Sequence, residues 1–433
     1  MSTMRDDQVF RKCAWRLIPF MVLLYIVNYI DRVNVGFAAL TMNKDLGFSP
    51  AVYGFGAGIF FFGYTLFQVP ANIILERIGV RRWVFCILLV WGAVSAGCAF
   101  VKGPTSFYVL RFVLGIAEAG FYPGMLLYLT YWFPQTYRAR FMAVFQTSVL
   151  WAFIIGGPMS GLILQTDGMA GLEGWQWLFL IQGVPACLLA FAVLKAMPDG
   201  PKHAAWLAPE EKGLIAAALA AEDSREHAGI MAALRDPRVL ALSLVLLGNA
   251  TALYGFDLWL PQIVQGMGFS TLETGFLVVI PYIAGIAAML LWATHSDRTK
   301  ERIWHIALPA FLTASGFLAA SLTQSPVAVL FALTLVRMGI SSLLAPFWSL
   351  ASAVLGRRAA AGGIAFINTV GSGLGGFAGP VAIGFLKQQT GGYAASMGVL
   401  AGLIALAALI VLAVGRKLAP RPELRPALHP RQP

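Results

Sequence analysis

Residues 17–40 read LIPFMVLLYIVNYIDRVNVGFAAL, an apolar run with Asp31 and Arg32 in its second half. A helix needs about 20 apolar residues to cross the hydrocarbon core of a bilayer. A charged side chain at the centre of such a helix costs about 2.5–3.5 kcal/mol on insertion scales. A second pair of charges, Arg111 and Glu118, lies in the fourth apolar run. Charges retained at this cost indicate a polar functional site inside a membrane protein.

Eleven further apolar runs have the length of a membrane span. They lie near residues 52–75, 82–101, 105–131, 140–165, 175–196, 238–264, 271–294, 303–323, 326–354, 360–387 and 392–415. Charged residues make up 12% of the chain, about half the share of a soluble domain. The first run is followed by others, so we expect a membrane helix there and not a cleaved signal. The sequence predicts an all-α polytopic membrane protein with twelve transmembrane helices.

The basic residues predict how the chain is oriented. Twelve spans put both chain ends and every second loop on one side, and that side collects 25 of the 31 Lys and Arg residues. The opposite loops hold only Lys44, Lys102 and Lys387. The positive-inside rule therefore places both termini in the cytoplasm and the protein in the cell inner membrane. The net charge of +11 is then a topology signal, and we expect no nucleic-acid partner.

The two halves of the chain repeat each other. Three landmarks recur at offsets of 221, 221 and 222 residues: Gly47-Phe48-Ser49 and Gly268-Phe269-Ser270, Glu76-Arg77 and Asp297-Arg298, and Gly157-Pro158 and Gly379-Pro380. We predict a six-helix bundle over 1–196, a cytoplasmic linker with a short helix over 197–237, and a second bundle with a cytoplasmic tail over 238–433. Duplicated halves are typical of transporters that bind substrate between the repeats, near the membrane midplane.

The charged residues permit a specific chemistry. Arg111 and Glu118 are two helical turns apart and share a face, and Asn28 lies on the same stripe as Asp31 and Arg32. Arginine can hold a carboxylate in a two-pronged geometry, and a buried acid beside it can take up and release a proton. Proton-coupled anion uptake needs these groups. The alternative is that Asp31–Arg111 and Arg32–Glu118 are structural ion pairs, although buried pairs stabilise proteins poorly.

Residues 72–82, NIILERIGVRR, resemble the loop motif of the major facilitator superfamily, and the resemblance covers essentially the whole chain. It implies the fold of that superfamily, with two pseudo-symmetric six-helix bundles. The resemblance also implies that the motif residues anchor a cytoplasmic gate, in which the acid meets a neighbouring helix N-terminus. The motif residues are Glu76, Arg77, Gly79, Arg81 and Arg82, with Asp297 and Arg298 in a degenerate second copy. A tight turn with inside-positive charges would use most of the same residues.

Three further segments resemble the anion:cation symporter family: YIDRVN at 29–34, LRFVLGIAEAGFYP at 110–123 and YLTYWFP at 128–134. That family includes tartrate, sugar-acid, phthalate and hydroxyphenylacetate permeases, and VYGFGAGIF at 52–60 is most similar to the tartrate type. The resemblance implies that Arg32 contacts the substrate carboxylate, that Asp31 and Glu118 carry protons, and that Arg111 tunes them within the substrate site. Further cavity residues at matching positions would be Tyr29, Tyr64, Trp348 and Asn368. Taken singly, each aromatic residue could equally be packing.

One departure from the family bears on the substrate. Sugar-acid members carry hydroxyl residues just before the tryptophan of helix 10, whereas here the stretch is Ala345-Pro346-Phe347. Phe347 would suit an apolar or aromatic body. This weakens a sugar-acid assignment and leaves short dicarboxylates and aromatic acids open.

Several other features predict no site of their own. The four cysteines are scattered, and the five histidines fall in predicted cytoplasmic segments without ligand spacing, so we expect no disulfide framework, metal or cofactor. The GSGLGG segment at 371–376 fits a dinucleotide pattern, but lies in a predicted span, where small residues permit close helix packing. Asp257 and Arg337 are intramembrane charges that could be second-half site residues or mutual partners.

The sequence thus predicts a proton-coupled symporter, not an enzyme, that imports a small organic anion by alternating access. The substrate would be a dicarboxylate such as tartrate or an aromatic carboxylate, and the partners a small anion, protons and the bilayer, with a monomeric chain. The alternatives are an exchanger or uniporter without proton coupling, and a non-transporting anion sensor. The short linker and tails do not favour a sensor.

Overall fold

The computed structural model describes residues 2–220 and 236–418. Part of the predicted linker (221–235) and most of the predicted tail (419–433) lie outside the described residues. The described α-helices are α1 (Ser2–Asp45), α2 (Pro50–Ile78), α3 (Val80–Gly97), α4 (Pro104–Glu118), α5 (Phe121–Trp132), α6 (Gln135–Ile163), α7 (Gly174–Ala196), α8 (Pro209–Ala220), α9 (Pro237–Gln265), α10 (Thr271–Leu277), α11 (Val279–Thr299), α12 (Ile303–Leu322), α13 (Pro326–Asn368), α14 (Gly375–Thr390) and α15 (Ala394–Leu418). A π-helical turn, Thr369–Leu374, joins α13 to α14.

Twelve helical segments in the described chain are long and apolar enough to cross a membrane, which confirms the predicted number of spans. Helices α4 and α5 together form the fourth span, Pro104–Trp132, and α10 and α11 form the eighth, Thr271–Thr299. Helix α13 holds the tenth span, Pro326–Leu355, and the start of the eleventh, Gly363–Thr390. We call the face on which α1 begins and α15 ends the chain-end face, and the opposite face, which includes the turn between α1 and α2, the loop face.

The repeated Gly-Phe-Ser landmark has the same structure in both halves. Gly47 and Gly268 have φ angles of 65° and 97°, a left-handed conformation that favours glycine. The hydroxyl of Ser49 accepts a hydrogen bond from the Val52 N–H (3.3 Å), and that of Ser270 accepts one from the Glu273 N–H (3.2 Å). In each half, therefore, a glycine turns the chain on the loop face and a serine caps the next helix.

Glycines let the two bundles approach closely on the loop face. A Cβ built on Gly54 of α2 would lie 2.5 Å from the Pro380 carbonyl oxygen of α14. A Cβ built on Gly275 of α10 would lie 2.6 Å from the Gly157 carbonyl oxygen of α6. Gly54 and Gly275 are related by the repeat offset of 221 residues. The repeated Gly-Pro landmark thus belongs to two symmetric glycine contacts, which we call the glycine seams.

The bundles are joined from the loop face to the middle of the membrane. Asn43 hydrogen bonds to Gln262 (3.2 Å) and the Tyr53 hydroxyl to the Leu258 carbonyl (2.7 Å) on that face. Nearer the middle, Thr65 packs against Gly373. In the described part of the chain, none of the hydrogen bonds, ring contacts or glycine approaches between the bundles lies on the chain-end side of Thr65. The structure is therefore closed on the loop face.

The GSGLGG segment contributes to this packing and does not resemble a nucleotide-binding loop. It spans the π-helical turn and the start of α14. A Cβ on Gly373 would meet the Thr65 hydroxyl at 2.4 Å, and one on Gly375 would meet Ala250 of α9 at 2.8 Å. The prediction that these small residues permit close helix packing is confirmed.

Candidate functional site

The middle of the N-terminal bundle holds a buried ion pair between α1 and α4. The Arg32 Nη2 and Nε atoms donate to Glu118 Oε2 at 2.9 and 3.1 Å, and Asn28 Nδ2 donates to the same oxygen at 3.0 Å. Arg32 is 7% exposed and Glu118 is fully buried. The 3.6-residue period of α1 places Asn28 and Arg32 one turn apart on one face, as the sequence predicts. Three donor atoms thus converge on a single carboxylate oxygen.

Asp31 has different partners from those of its neighbour Arg32. Its carboxylate accepts hydrogen bonds from the Trp91 indole N–H and the Ser95 hydroxyl, both on α3, and from Asn34 Nδ2 at 2.9 Å. Asp31 is fully buried. The alternative in which Asp31 pairs with Arg111 is therefore wrong for this conformation, because donors of α3 and α1 occupy the carboxylate. The other pair in that alternative, Arg32–Glu118, is present.

Arg111 is a fully buried cation in α4. None of its three guanidinium nitrogens has a hydrogen-bond partner among the described residues. Its guanidinium carbon lies 4.9 Å from the centre of the Phe60 ring, and that of Arg32 lies 5.5 Å from the same ring. Glu118 Oε1 also lacks a partner within the described chain. Buried charges with unsatisfied atoms are costly, so this cluster is not built for stability alone.

The predicted aromatic residues of the N-terminal bundle lie beside Arg32. Its guanidinium carbon is 5.5 Å from the ring centre of Tyr29 and 5.0 Å from that of Tyr64. Tyr29, on α1, also contacts Phe153 of α6 edge to face, at 5.4 Å between ring centres. Both tyrosines thus surround the cation with π faces, which attract it.

The predicted residues of the C-terminal bundle are not brought into contact with Arg32 or Glu118 in the described structure. Trp348 is partly buried and packs on Phe347 at 5.2 Å between ring centres. Asn368 accepts a hydrogen bond from the Ser372 hydroxyl at 3.0 Å. Phe347 itself is fully buried in the apolar core of the C-terminal bundle. Its ring therefore packs inside the bundle, contrary to the expectation that it faces a substrate.

The two unexplained charges of the C-terminal half are mutual partners. Arg337 Nη1 of α13 donates to Asp257 Oδ1 of α9 at 2.7 Å, and the Tyr282 hydroxyl of α11 donates to the same oxygen at 3.0 Å. The guanidinium carbon lies 4.5 Å from the Tyr282 ring centre and 5.3 Å from that of Phe153, which belongs to the other bundle. The pair therefore lies at the interface between the bundles.

The loop motif residues make no hydrogen bond or ion pair to the opposite bundle among the described residues. Gly79, at φ 85°, ends α2 and precedes α3. Glu76 is exposed, and the carboxylate at the N-terminus of α3 is that of Asp199, which accepts from the Arg81 N–H at 2.9 Å. Among the described residues Glu76 makes no hydrogen bond, so the meeting of the motif acid with a neighbouring helix N-terminus stays a prediction. In the second copy, Asp297, near the end of α11, pairs with Arg302 of the following turn at 2.8 Å. Neither copy joins the bundles in the described structure.

The histidines also depart from expectation. His305 is 6% exposed in α12, where its ring nitrogens lie 2.7 Å from His295 Nδ1 and 2.7 Å from Glu301 Oε2. Burial raises the pKa of Glu301, but hydrogen bonds from the Trp304 N–H and from His305 outweigh it, and the pKa lies below its ordinary value. The described residues contain no group of three acidic, histidine or cysteine side chains placed to hold a metal ion.

Sequence reasoning missed the supporting residues of this site. These are Phe60, Trp91, Ser95, Phe153 and Tyr282. An aromatic residue in an apolar span gives no pattern that separates a site role from packing. The one available signal is the spacing of Trp91 and Ser95, which puts a hydroxyl one helical turn from an indole N–H.

Comparison with known proteins decides the family. Residues 21–380 match the model of the Major Facilitator Superfamily. The chain belongs to this superfamily. The similar proteins of this superfamily are named as transporters. This chain is a multi-pass membrane transporter and not an enzyme.

Two relatives of this superfamily chain are of nearly equal similarity. A protein of Agrobacterium vitis named "Putative tartrate transporter" is 46% identical, over 96% of this chain and 96% of its own. A protein of Acinetobacter baumannii named "Quinolone resistance transporter" is 44% identical, over 90% of this chain and 91% of its own. The similarity to proteins named as tartrate transporters confirms the predicted resemblance to tartrate-type members.

The fold of this superfamily chain also matches solved structures. A bacterial homologue of the human lysosomal transporter Spinster, in an inward-facing and occupied conformation, aligns with a TM-score of 0.76. The alignment covers 92% of this chain and 96% of that one at 16% identity. At that identity the match shows the fold alone, with its two six-helix bundles.

Proposed function

We propose that this transporter is a proton-coupled symporter that imports a small organic anion. The observation that carries the proposal is the buried Arg32–Glu118 pair, in which one cation is held by one acid between α1 and α4. A buried pair of this kind contributes little net stability. It does provide an anion-binding cation whose availability depends on the protonation of its partner.

The charges of the cluster would couple the binding of an anion to the binding of a proton. Arg32 and Arg111 balance Asp31 and Glu118, so the cluster as a whole is neutral. A proton on Glu118 removes the charge that holds Arg32 and leaves the guanidinium free to bind a substrate carboxylate through two parallel hydrogen bonds. Release of the proton restores the internal pair and expels the anion. Substrate and proton therefore bind together.

Asp31 and Arg111 have supporting roles in this proposal. Asp31 is the second proton carrier, and its donors Trp91 and Ser95 fix its orientation from α3. Arg111 contributes positive charge without a hydrogen-bond partner of its own among the described residues, which favours anion entry and would tune the two acids.

The remaining predicted residues would form the walls of the substrate site. Tyr29 and Tyr64 already contact the Arg32 guanidinium. Trp348 and Asn368 lie on the opposite bundle and would reach the substrate when the bundles close around it.

The cycle we propose is alternating access by rocking of the bundles. Closure of the loop face, together with the basic residues of the chain-end face, supports an inward-facing state with cytoplasmic termini in the inner membrane. The loop motif would join the bundles on the cytoplasmic side in the opposite state, through Glu76, Arg77, Gly79, Arg81 and Arg82 and their counterparts Asp297 and Arg298. The two bundles would be separate domains on either side of the linker at residues 197–237. The protein would act as a monomer.

A short dicarboxylate such as tartrate or an aromatic carboxylate is the proposed substrate. Arg32 requires an anion, and the names of relatives at 46% identity support tartrate. The relative named "Quinolone resistance transporter" supports an aromatic carboxylate as the alternative substrate.

The test is transport by purified protein in proteoliposomes. Wild-type protein should concentrate labelled tartrate when the outside is acidic, and Glu118→Gln should still exchange tartrate in counterflow but no longer concentrate it. The amide keeps the shape of a protonated acid but cannot release a proton. Glu210→Gln, at an exposed position in α8, is the matched control and should behave as wild type.

Each other outcome has a definite meaning. Accumulation by Glu118→Gln under the pH gradient would exclude Glu118 as the coupling acid. Wild-type counterflow without gradient-driven accumulation would indicate an exchanger or uniporter. Binding without counterflow, for tartrate and for a panel of aromatic acids, would indicate a sensor.

A further inference from the structure

The Asp257–Arg337 pair joins the first and fourth spans of the C-terminal bundle, as the Arg32–Glu118 pair joins the first and fourth spans of the N-terminal bundle. The repeat offset of 221 residues carries Asp257 to position 36 and Arg337 to position 116. These positions lie within about one helical turn of Arg32 and Glu118. The order of charges is reversed, since here the acid lies on the first helix of the bundle. In each bundle, therefore, a buried arginine–acid ion pair joins the first and fourth spans.

A chain of rings connects the two arginines across the bundle interface. The Arg32 guanidinium lies 5.5 Å from the Tyr29 ring, that ring lies 5.4 Å from Phe153, and Phe153 lies 5.3 Å from the Arg337 guanidinium. Phe153 also stacks on Tyr282 at 3.8 Å between ring centres. Arg337 therefore lies at the level of the central cluster, separated from it by two side chains.

The Asp257–Arg337 pair has unused hydrogen-bonding capacity. Arg337 is 6% exposed and Asp257 is 3% exposed. Within the described chain, Arg337 Nε and Asp257 Oδ2 have no hydrogen-bond partner. A guanidinium binds a carboxylate best with two parallel hydrogen bonds, of which Asp257 takes only one. A buried ion pair that bound no ligand would contribute little to the stability of the fold.

We propose that Arg337 binds the second carboxylate of a dicarboxylate substrate whose first carboxylate is held by Arg32. Asp257 masks Arg337 until it takes up a proton, as Glu118 masks Arg32. Two protons and one dianion then bind together, so the loaded site has the same net charge as the empty one. Tyr29 and Phe153 would have to move out of the space between the arginines as the bundles close around the substrate.

This inference rests on the proposed function and narrows its substrate class. A monocarboxylate can neutralise Arg32 but leaves Arg337 without an anion. An aromatic monocarboxylate would therefore be a weaker substrate than a short dicarboxylate, and the Asp257–Arg337 pair would set that selectivity.

The test compares tartrate with its monoamide, which has the same shape and one carboxylate fewer. Binding is measured by titration calorimetry on detergent-purified protein at a pH of about 6. The double variant Asp257→Asn/Arg337→Gln removes both charges together, so no buried charge is left unpaired. It should lose about 10- to 100-fold in tartrate affinity and little in monoamide affinity. Asp257→Asn alone should bind tartrate more tightly than wild type at neutral pH, because Arg337 is no longer masked.

Two outcomes would overturn the inference. One is a double variant that keeps the wild-type preference for tartrate over its monoamide, whether its affinities are unchanged or fall in proportion. The other is a wild-type protein that prefers the monoamide. Arg32→Gln separates this inference from the proposed function, because it should weaken both ligands. If Arg32→Gln binds both normally, the proposed function itself fails.

Discussion

The glycine seams predict that a single methyl group can change the conformational equilibrium of this transporter. In the structure, a Cβ at Gly54 would lie 2.5 Å from the Pro380 carbonyl oxygen, and one at Gly275 would lie 2.6 Å from the Gly157 carbonyl oxygen. Both obstacles are backbone atoms of the opposite bundle, so no side chain can rotate away. Alanine at either position must push the bundles apart on the loop face.

The size of the effect follows from the geometry. Ordinary van der Waals contact of a Cβ begins at 3.4 Å, so Gly54→Ala needs about 1 Å of separation. Forcing an extra methyl group into a packed contact costs about 1–3 kcal/mol. That strain exists only while the loop face is closed, because the opposite state separates the seams. The equilibrium should therefore shift about 5- to 150-fold away from the closed loop face, with little change in global stability.

Spin labels can measure this shift. Lys44 at the end of α1 and Gln389 in α14 are exposed on the loop face, one in each bundle. Cysteines at these positions, in a background without the four native cysteines, would report the distance between bundles by double electron–electron resonance. Gly54→Ala and Gly275→Ala should each increase the population at longer distance. Gly402→Ala in α15 has nothing within 4 Å of its new Cβ and is the matched control.

The result that would refute the reasoning is clear. If Gly54→Ala and the Gly402→Ala control give the same distance distribution, the seams do not separate during the conformational change. A distribution unchanged in distance but accompanied by a large loss of thermal stability would have the same meaning. The bundles would then move by some other route than rocking about the loop face.

Two further predictions concern the charged groups. Arg111→Met should lower the melting temperature of the detergent-solubilised protein and reduce transport. It leaves the buried acids of the cluster with one negative charge that no cation balances, which costs about 3–5 kcal/mol; a higher melting temperature would mean that Arg111 does not balance those acids. Glu301→Gln should cost stability at neutral pH, because the pKa of Glu301 is lowered in the folded protein by hydrogen bonds that outweigh its burial. That contribution to stability is present above the unfolded pKa of about 4.3 and is lost as the pH falls through the lower folded value. The melting curves of wild type and Glu301→Gln should therefore differ at pH 7 and converge in acid. A difference that does not depend on pH would contradict this origin.

The fold was largely predictable because its signals are local. Twelve apolar runs follow from the length that a helix needs to cross the bilayer, and the described spans agree with them to within a few residues except at the first helix. That helix begins well before residue 17, in a segment whose polar residues hide it from a hydropathy argument. The repeat offsets also carried over, because a glycine turn and a serine cap act on adjacent residues.

The candidate site was predictable in its charges and not in its contacts. Arg32 and Glu118 meet as one reading of the sequence requires, whereas Asp31 bonds to Trp91 and Ser95 in place of Arg111. The register of α3 against α1 decides that difference, and no pattern in either helix encodes it. Phe347 was misplaced for the same reason, since most of its neighbours in the C-terminal core come from distant parts of the chain.

The sequence by itself determined that this chain crosses the membrane twelve times and keeps a small set of charges inside. The energetic cost of a charge in hydrocarbon makes those residues conspicuous wherever they occur. Only the tertiary structure decided which charges pair, that Asp257 belongs with Arg337, and that the bundles meet through glycines on the loop face. Those outcomes depend on how separate helices pack against one another. Packing is a property of surfaces brought together from distant segments, which periodicity along one helix does not contain.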